Sequence, residues 1–75
     1  MREQQTLGRR IQEARKAAGL SQESLGERLG VSRQAVSKWE RGAADPSTSN
    51  LLALAKLFGV PAEDLLRETA GGEKA

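Results

Sequence analysis

The chain has 75 residues, of which 37% are hydrophobic and 29% are charged, and its formal net charge is +2. A chain of this length forms a single domain with a small core. Cysteine and histidine are both absent, which excludes disulfides, thiolate nucleophiles and the commonest metal ligands and general base. We therefore expect no enzyme activity, no catalytic or metal-binding residue and no cofactor.

The hydropathy pattern contains no membrane or export signal. The longest apolar run is far shorter than the roughly 20 residues of a membrane-spanning helix. The N-terminal segment, MREQQTLGRR, lacks the apolar core of a signal peptide. We expect a cytoplasmic protein without a membrane partner.

Charge is distributed unevenly along the chain. Residues 1–42 contain nine Lys and Arg against five Asp and Glu, a net charge of +4. Residues 43–75 contain three against five, a net charge of −2. The basic half favours contact with a polyanion, and an ordinary solvated surface is the alternative interpretation.

Helix boundaries are marked by a repeated corner, in which a glycine precedes an aliphatic residue and a helix-starting residue. It occurs at Gly19, Gly30 and Gly59, and Gly42 ends one further helical segment. Ser21 and Ser32 are the expected N-caps of the helices that follow them. The predicted helices cover residues 5–18, 22–29, 33–41, 48–58 and 61–67. No segment has the pattern of a strand, so the fold class is all-α, with a domain over 1–68 and a flexible tail over 69–75.

Apolar residues at helical spacing predict one core. The first helix places four on one face, namely Leu7, Ile11, Ala14 and Ala18. The fourth helix does the same with Leu51, Leu54, Ala55 and Phe58. The other core candidates are Leu25, Leu29, Val31, Val36, Trp39, Val60 and Leu65.

The third predicted helix has two different faces. Val36 and Trp39 share an apolar stripe, which favours burial of Trp39 over a role in stacking on single-stranded bases. The opposite face is polar and carries Arg33, Gln34, Ser37, Lys38 and Arg41. Such a helix packs against a core and still presents hydrogen-bond donors outward.

Three sequence blocks, in order and at matching spacings, carry a family resemblance. They are GLSQ, LGVSRQAVSKWERG and LAKLFGVPAEDLL. Residues 15–66 resemble the helix-turn-helix domain of the phage Cro/CI repressor family, also called the Xre family. The resemblance implies a compact five-helix lambda-repressor-like DNA-binding domain with the helix-turn-helix at helices 2 and 3. It also implies that helix 3 enters the major groove, commonly in a dimer on a two-fold-related operator.

The resemblance assigns roles to individual residues. Those expected to read base edges are Arg33, Gln34, Ser37 and Lys38. Arg and Lys donate to guanine, and Gln pairs with adenine. Those expected to contact phosphates are Gln22, Ser32, Arg41, Thr48 and Asn50. For both groups the alternative is a solvated surface without a DNA role, and Arg33 has the further alternative of a phosphate contact.

Two architectural features also follow from the resemblance. Arg15 and Glu40 correspond to a pair that forms a salt bridge between helices 1 and 3 in the family. The alternative is that Arg15 contacts a phosphate and Glu40 is solvated. Gly26 stands where the family usually has alanine, at the close crossing of helices 2 and 3, where it retains the steric fit at a cost of about 1 kcal/mol in helix stability.

Leu52 and Leu66 lie off the main apolar stripes of their helices. They are therefore the candidate contacts of a homodimer, and completion of the core is the alternative. Without a separate oligomerisation domain, we expect the domain to supply its own dimer interface.

The leading functional expectation is a sequence-specific regulator of transcription that binds double-stranded operator DNA, with repression as its expected effect. Phage repressors, restriction-modification controllers and antitoxins all resemble the chain at this length. An antitoxin, or another protein-interaction module with the same fold, would require a protein partner. The basic and amide-bearing face of helix 3 favours DNA over protein.

Overall fold

The computed structural model describes residues 6–66, which form five α-helices. Their bounds are Leu7–Ala17 for α1, Gln22–Leu29 for α2, Arg33–Arg41 for α3, Thr48–Phe58 for α4 and Ala62–Leu66 for α5. No strand occurs within this part of the chain. The predicted all-α class and the bounds of the three middle helices are confirmed. The predicted tail at 69–75 lies outside the described residues.

Hydroxyl side chains cap the first four helices at their N-termini. The Oγ atoms of Ser21, Ser32 and Ser47 accept hydrogen bonds from backbone N–H groups three residues later, at 3.0, 3.1 and 3.2 Å. Thr6 caps α1 in the same way. Each bond satisfies an N–H that has no partner within its helix. The predicted caps Ser21 and Ser32 are confirmed. Helix α1 begins at Leu7, two residues later than predicted, because Thr6 is its N-cap.

The end of α2 shows why glycine stands at the helix corners. Gly30 adopts the left-handed conformation with φ +77°, which an L side chain rarely tolerates. The Val31 N–H then donates to the Gly26 carbonyl oxygen at 2.8 Å, closing the turn before α3. At the first corner the predicted Gly19 also adopts the left-handed conformation, with φ +75°, directly after the C-cap Ala18 of α1.

The core lies between all five helices. Its buried residues are Ile11, Leu25, Val36, Trp39, Leu54, Ala55 and Leu65. Trp39 is 5% exposed, which confirms its interpretation as a core residue. Ala18 was predicted to be on the buried face of α1, but it is exposed because the helix ends before it.

Two glycines allow α3 to lie close to its neighbours. A Cβ on Gly26 of α2 would stand 2.7 Å from the Val31 carbonyl oxygen. A Cβ on Gly8 of α1 would meet the carbonyl oxygens of Trp39 and Glu40 in α3. Side chains at these positions would push the helices apart. The predicted close crossing at Gly26 is confirmed, and in this chain it is too tight for the alanine usual in the family unless the backbone shifts. Gly8 was not predicted, because its contact with α3 joins residues far apart in the sequence.

None of the helices within residues 6–66 has both the length and the apolar character needed to cross a bilayer.

Candidate nucleic-acid interface

The helix-turn-helix consists of α2, the short corner at residues 30–32 and α3. The corner is held by the backbone bond from Val31 to Gly26 and by the Ser32 cap on α3. The apolar side of α2 is anchored through Leu25, which is fully buried. The angle between the two helices is therefore set by packing and backbone hydrogen bonds.

The two sides of α3 differ sharply in exposure. Val36 is fully buried and Trp39 nearly so, whereas the polar residues Arg33, Gln34 and Lys38 are exposed. None of these three polar side chains forms a hydrogen bond or ion pair with another residue in the range 6–66. Their donors therefore remain available for an external ligand, on a helix whose opposite side is fixed in the core.

Ser37 and Arg41 lie one turn apart on the same helix. The Arg41 Nε donates to the Ser37 Oγ at 3.4 Å, a long bond between an exposed guanidinium and a half-buried hydroxyl. Ser37 is thus the least accessible of the four residues predicted to read bases.

The predicted phosphate contacts are placed at helix N-termini and at the end of α3. Gln22 is the first residue of α2, and Thr48 is the first residue of α4. Thr48 is exposed, and the half-buried Asn50 donates its backbone N–H to Ser47. Backbone N–H groups at a helix N-terminus favour anions, so these positions suit phosphate binding.

Arg15 and Glu40 are brought together between α1 and α3. The Arg15 Nε donates to the Glu40 Oε2 at 2.7 Å, and the Arg15 Nη2 donates to the Glu40 Oε1 at 3.2 Å. The side chains are 10% and 3% exposed. Arg15 also donates from Nη1 to the Leu20 carbonyl oxygen at 2.9 Å. The bidentate geometry and the burial favour the architectural interpretation of this pair.

One hydrogen bond connects this ion pair to the first turn of α2. The Gln22 Nε2 donates to the Glu40 Oε1 at 3.0 Å. The sequence predicts a phosphate contact for Gln22 and a salt bridge for Glu40, but no contact between the two residues. No local sequence signal could reveal this contact, because the two residues are 18 positions apart and meet only through the packing of α2 against α3.

The candidate dimer residues are the two exposed large hydrophobic side chains of the described chain. Leu52 on α4 is 57% exposed, and Leu66 on α5 is 53% exposed. The alternative that they complete the core is therefore wrong. Exposed leucines of this size are available for contact with another protein surface.

A helix-turn-helix family model matches residues 11–65. The chain belongs to the helix-turn-helix family of the Cro/CI repressors. It is 41% identical over 63 residues to repressor protein C2 of Salmonella phage P22, covering 84% of this chain and 29% of that protein. It is 39% identical over 61 residues to the transcriptional regulator ImmR of Bacillus subtilis, covering 81% and 48%.

The fold agrees with that membership. The crystal structure of the P22 c2 repressor in complex with a synthetic operator superposes with a TM-score of 0.77 at 41% identity. The superposition covers 81% of this chain and 92% of that one. The chain spans less than half the length of the two curated relatives named above. Its similarity to them is therefore a similarity to their helix-turn-helix portions.

The helix-turn-helix segment exposes more cations than anions. Within residues 6–66, no cluster of three or more potential metal ligands occurs. The exposed cations of the helix-turn-helix segment include Arg28, Arg33, Lys38 and Arg41. A surface with this chemistry suits a phosphate backbone and the acceptor-rich edges of bases.

Proposed function

We propose that the chain is a sequence-specific regulator of transcription that binds double-stranded operator DNA with α3 in the major groove. Repression by occupying a promoter is the proposed effect. The observation that carries the proposal is the polar outer face of α3, whose opposite face is locked into the core by Val36 and Trp39. A fixed helix with solvent-exposed donors is suited to reading base edges.

The proposed contacts divide into two classes. The residues proposed to read bases are Arg33, Gln34, Ser37 and Lys38. The residues proposed to contact phosphates are Gln22, Ser32, Arg41, Thr48 and Asn50. Direct exposure supports Arg33, Gln34 and Lys38 in the first class, and position at a helix N-terminus supports Gln22 and Thr48 in the second.

A homodimer is the proposed binding form, with Leu52 and Leu66 in the interface. Their exposure supports this assignment, and a two-fold dimer would match two half-sites about one helical turn apart. The proposed function involves no catalysis and is exerted in the cytoplasm.

The decisive experiment is selection of binding sites from random DNA duplexes, followed by footprinting on the enriched sequence. We expect an enriched motif, protection on one face of the duplex and an affinity that falls steeply with salt. Lys16→Ala provides a control, because Lys16 is exposed on α1 outside the proposed contacts. An absence of enrichment, with all duplexes bound equally, would refute sequence-specific recognition and favour the protein-interaction alternative.

A further inference from the structure

We infer that Glu40 is a positioning residue for DNA binding, acting through the side-chain amide of Gln22. The inference rests on the proposed function, in which Gln22 contacts a phosphate. It assigns Glu40 a role beyond the α1–α3 ion pair, since the same carboxylate also accepts a hydrogen bond from the Gln22 amide.

The geometry gives Glu40 control over the Gln22 amide. The Glu40 Oε1 accepts from both the Arg15 Nη2 at 3.2 Å and the Gln22 Nε2 at 3.0 Å. The carboxylate is itself fixed, because its side chain is only 3% exposed and its Oε2 accepts from the Arg15 Nε at 2.7 Å. The Gln22 amide is therefore attached to a rigid acceptor in the protein interior.

The chemistry of the carboxylate also selects the orientation of the amide. A carboxylate bound to a guanidinium offers only acceptors, so the amide turns its NH2 group and not its oxygen toward Glu40. An NH2 group has two hydrogens. One is used by Glu40, and the other remains to donate to an acceptor at the start of α2, where the helix N-terminus favours an anion.

Arg15 makes this arrangement compatible with DNA. An unpaired carboxylate directly behind a phosphate contact would repel the phosphate. The bidentate Arg15 guanidinium supplies the compensating charge on the interior side. Glu40 thus orients the amide without presenting a net negative charge to the backbone of the nucleic acid.

A double-mutant cycle tests the inference. The affinity of the full chain for a mixed-sequence DNA duplex at low salt is measured for the wild type, Glu40→Gln, Gln22→Ala and the double variant. A mixed-sequence duplex suffices, because a phosphate contact does not depend on base identity. All four proteins are measured at one temperature, at which circular dichroism shows each of them to be folded.

We expect Glu40 and Gln22 to be coupled. Replacing the carboxylate removes the fixed acceptor, so Glu40→Gln lowers affinity in the wild-type background by about fivefold more than in the Gln22→Ala background. Loss of a negative charge alone predicts the opposite direction, which is tighter binding in both backgrounds. Glu13→Gln is the matched control, because it removes an exposed carboxylate on α1 whose side chain is 55% exposed.

A second variant and a second measurement distinguish a positioning role from loss of folding. Glu40→Asp keeps the charge but shortens the side chain, so it should show the same coupling without changing the net charge. In the protein without DNA, the NMR signals of the Gln22 side-chain NH2 should shift in both Glu40 variants and stay unchanged in Glu13→Gln.

The outcomes separate this inference from the proposed function. Wild-type binding with additive effects of the two substitutions, within about twofold, would overturn the positioning role and leave DNA binding intact. A wild type that binds no duplex would refute the proposed function, and the inference with it.

Discussion

The Arg15 guanidinium and the Glu40 carboxylate form two parallel hydrogen bonds, 2.7 and 3.2 Å long, between α1 and α3. The pair is nearly buried, and Arg15 also donates to the backbone at Leu20, just before the N-cap of α2. One ion pair therefore connects α1, the corner after it and α3. This ion pair therefore holds α1 and α3 in a fixed relative position within the proposed DNA-binding unit.

Breaking the Arg15–Glu40 ion pair should destabilise the protein. Arg15→Met keeps much of the side-chain volume but leaves the Glu40 carboxylate buried without its cation, so we expect a loss of about 3 kcal/mol in the free energy of unfolding. Urea denaturation followed by circular dichroism measures the change.

Arg9→Met is the matched control for that prediction. Arg9 pairs with Glu13 at 3.4 Å, and both side chains are more than half exposed, so the loss should stay below about 1 kcal/mol. Equal effects of the two substitutions would contradict a stabilising role for the buried Arg15–Glu40 ion pair.

A methyl group at Gly26 should also destabilise the fold. The added Cβ would stand 2.7 Å from the Val31 carbonyl oxygen, at the corner between α2 and α3. Alanine improves intrinsic helix stability by about 1 kcal/mol, but forcing the two backbones apart should cost more and give a net loss of about 1–2 kcal/mol. Thermal denaturation measures this balance. Glu27→Ala, at the next and exposed position, should be nearly neutral, and a stabilised Gly26→Ala variant would show that the corner relaxes freely.

Substitutions on the proposed DNA surface should separate base reading from phosphate binding. Gln34→Ala should relax preference at one base position and cost about 1–3 kcal/mol on the preferred operator only. Affinities for the selected operator and its single-base variants measure the effect.

Arg41→Ala should behave differently. Because a phosphate contact is common to all sequences, binding should weaken for every duplex and the slope of log affinity against log salt should fall by about 1. A change in base preference in Arg41→Ala, or a uniform loss in Gln34→Ala, would contradict the proposed division of roles.

The proposed dimer depends on Leu52. Leu52→Glu places a charge on a side chain that is 57% exposed, so the fold should persist while an apolar interface containing it should not form. Sedimentation equilibrium should show a shift toward monomer, and operator affinity should fall. Ala17→Glu adds the same charge at an exposed position on α1 and should change neither. An unchanged mass for Leu52→Glu would exclude this surface as the interface.

Much of the fold could be predicted because its signals are local. Ser21 and Ser32 precede their helices directly, and Gly30 occupies the left-handed position that ends α2. The spacing of Val36 and Trp39 marks the buried face of α3 within a single turn. Each of these features depends on a few neighbouring residues, so periodicity and capping chemistry are sufficient to identify it.

Other features required the packed chain. Gly8 contacts the backbone of α3, Arg10 donates to the Asp64 carbonyl oxygen at 3.2 Å, and Gln22 reaches Glu40. The exposure of Leu52 and Leu66 likewise follows from how α4 and α5 meet the rest of the domain. Sequence patterns locate each of these residues on its own helix, but the distance between helices and their crossing angles establish which side chains meet. Those quantities arise from the packing of the whole core, and no short segment contains them.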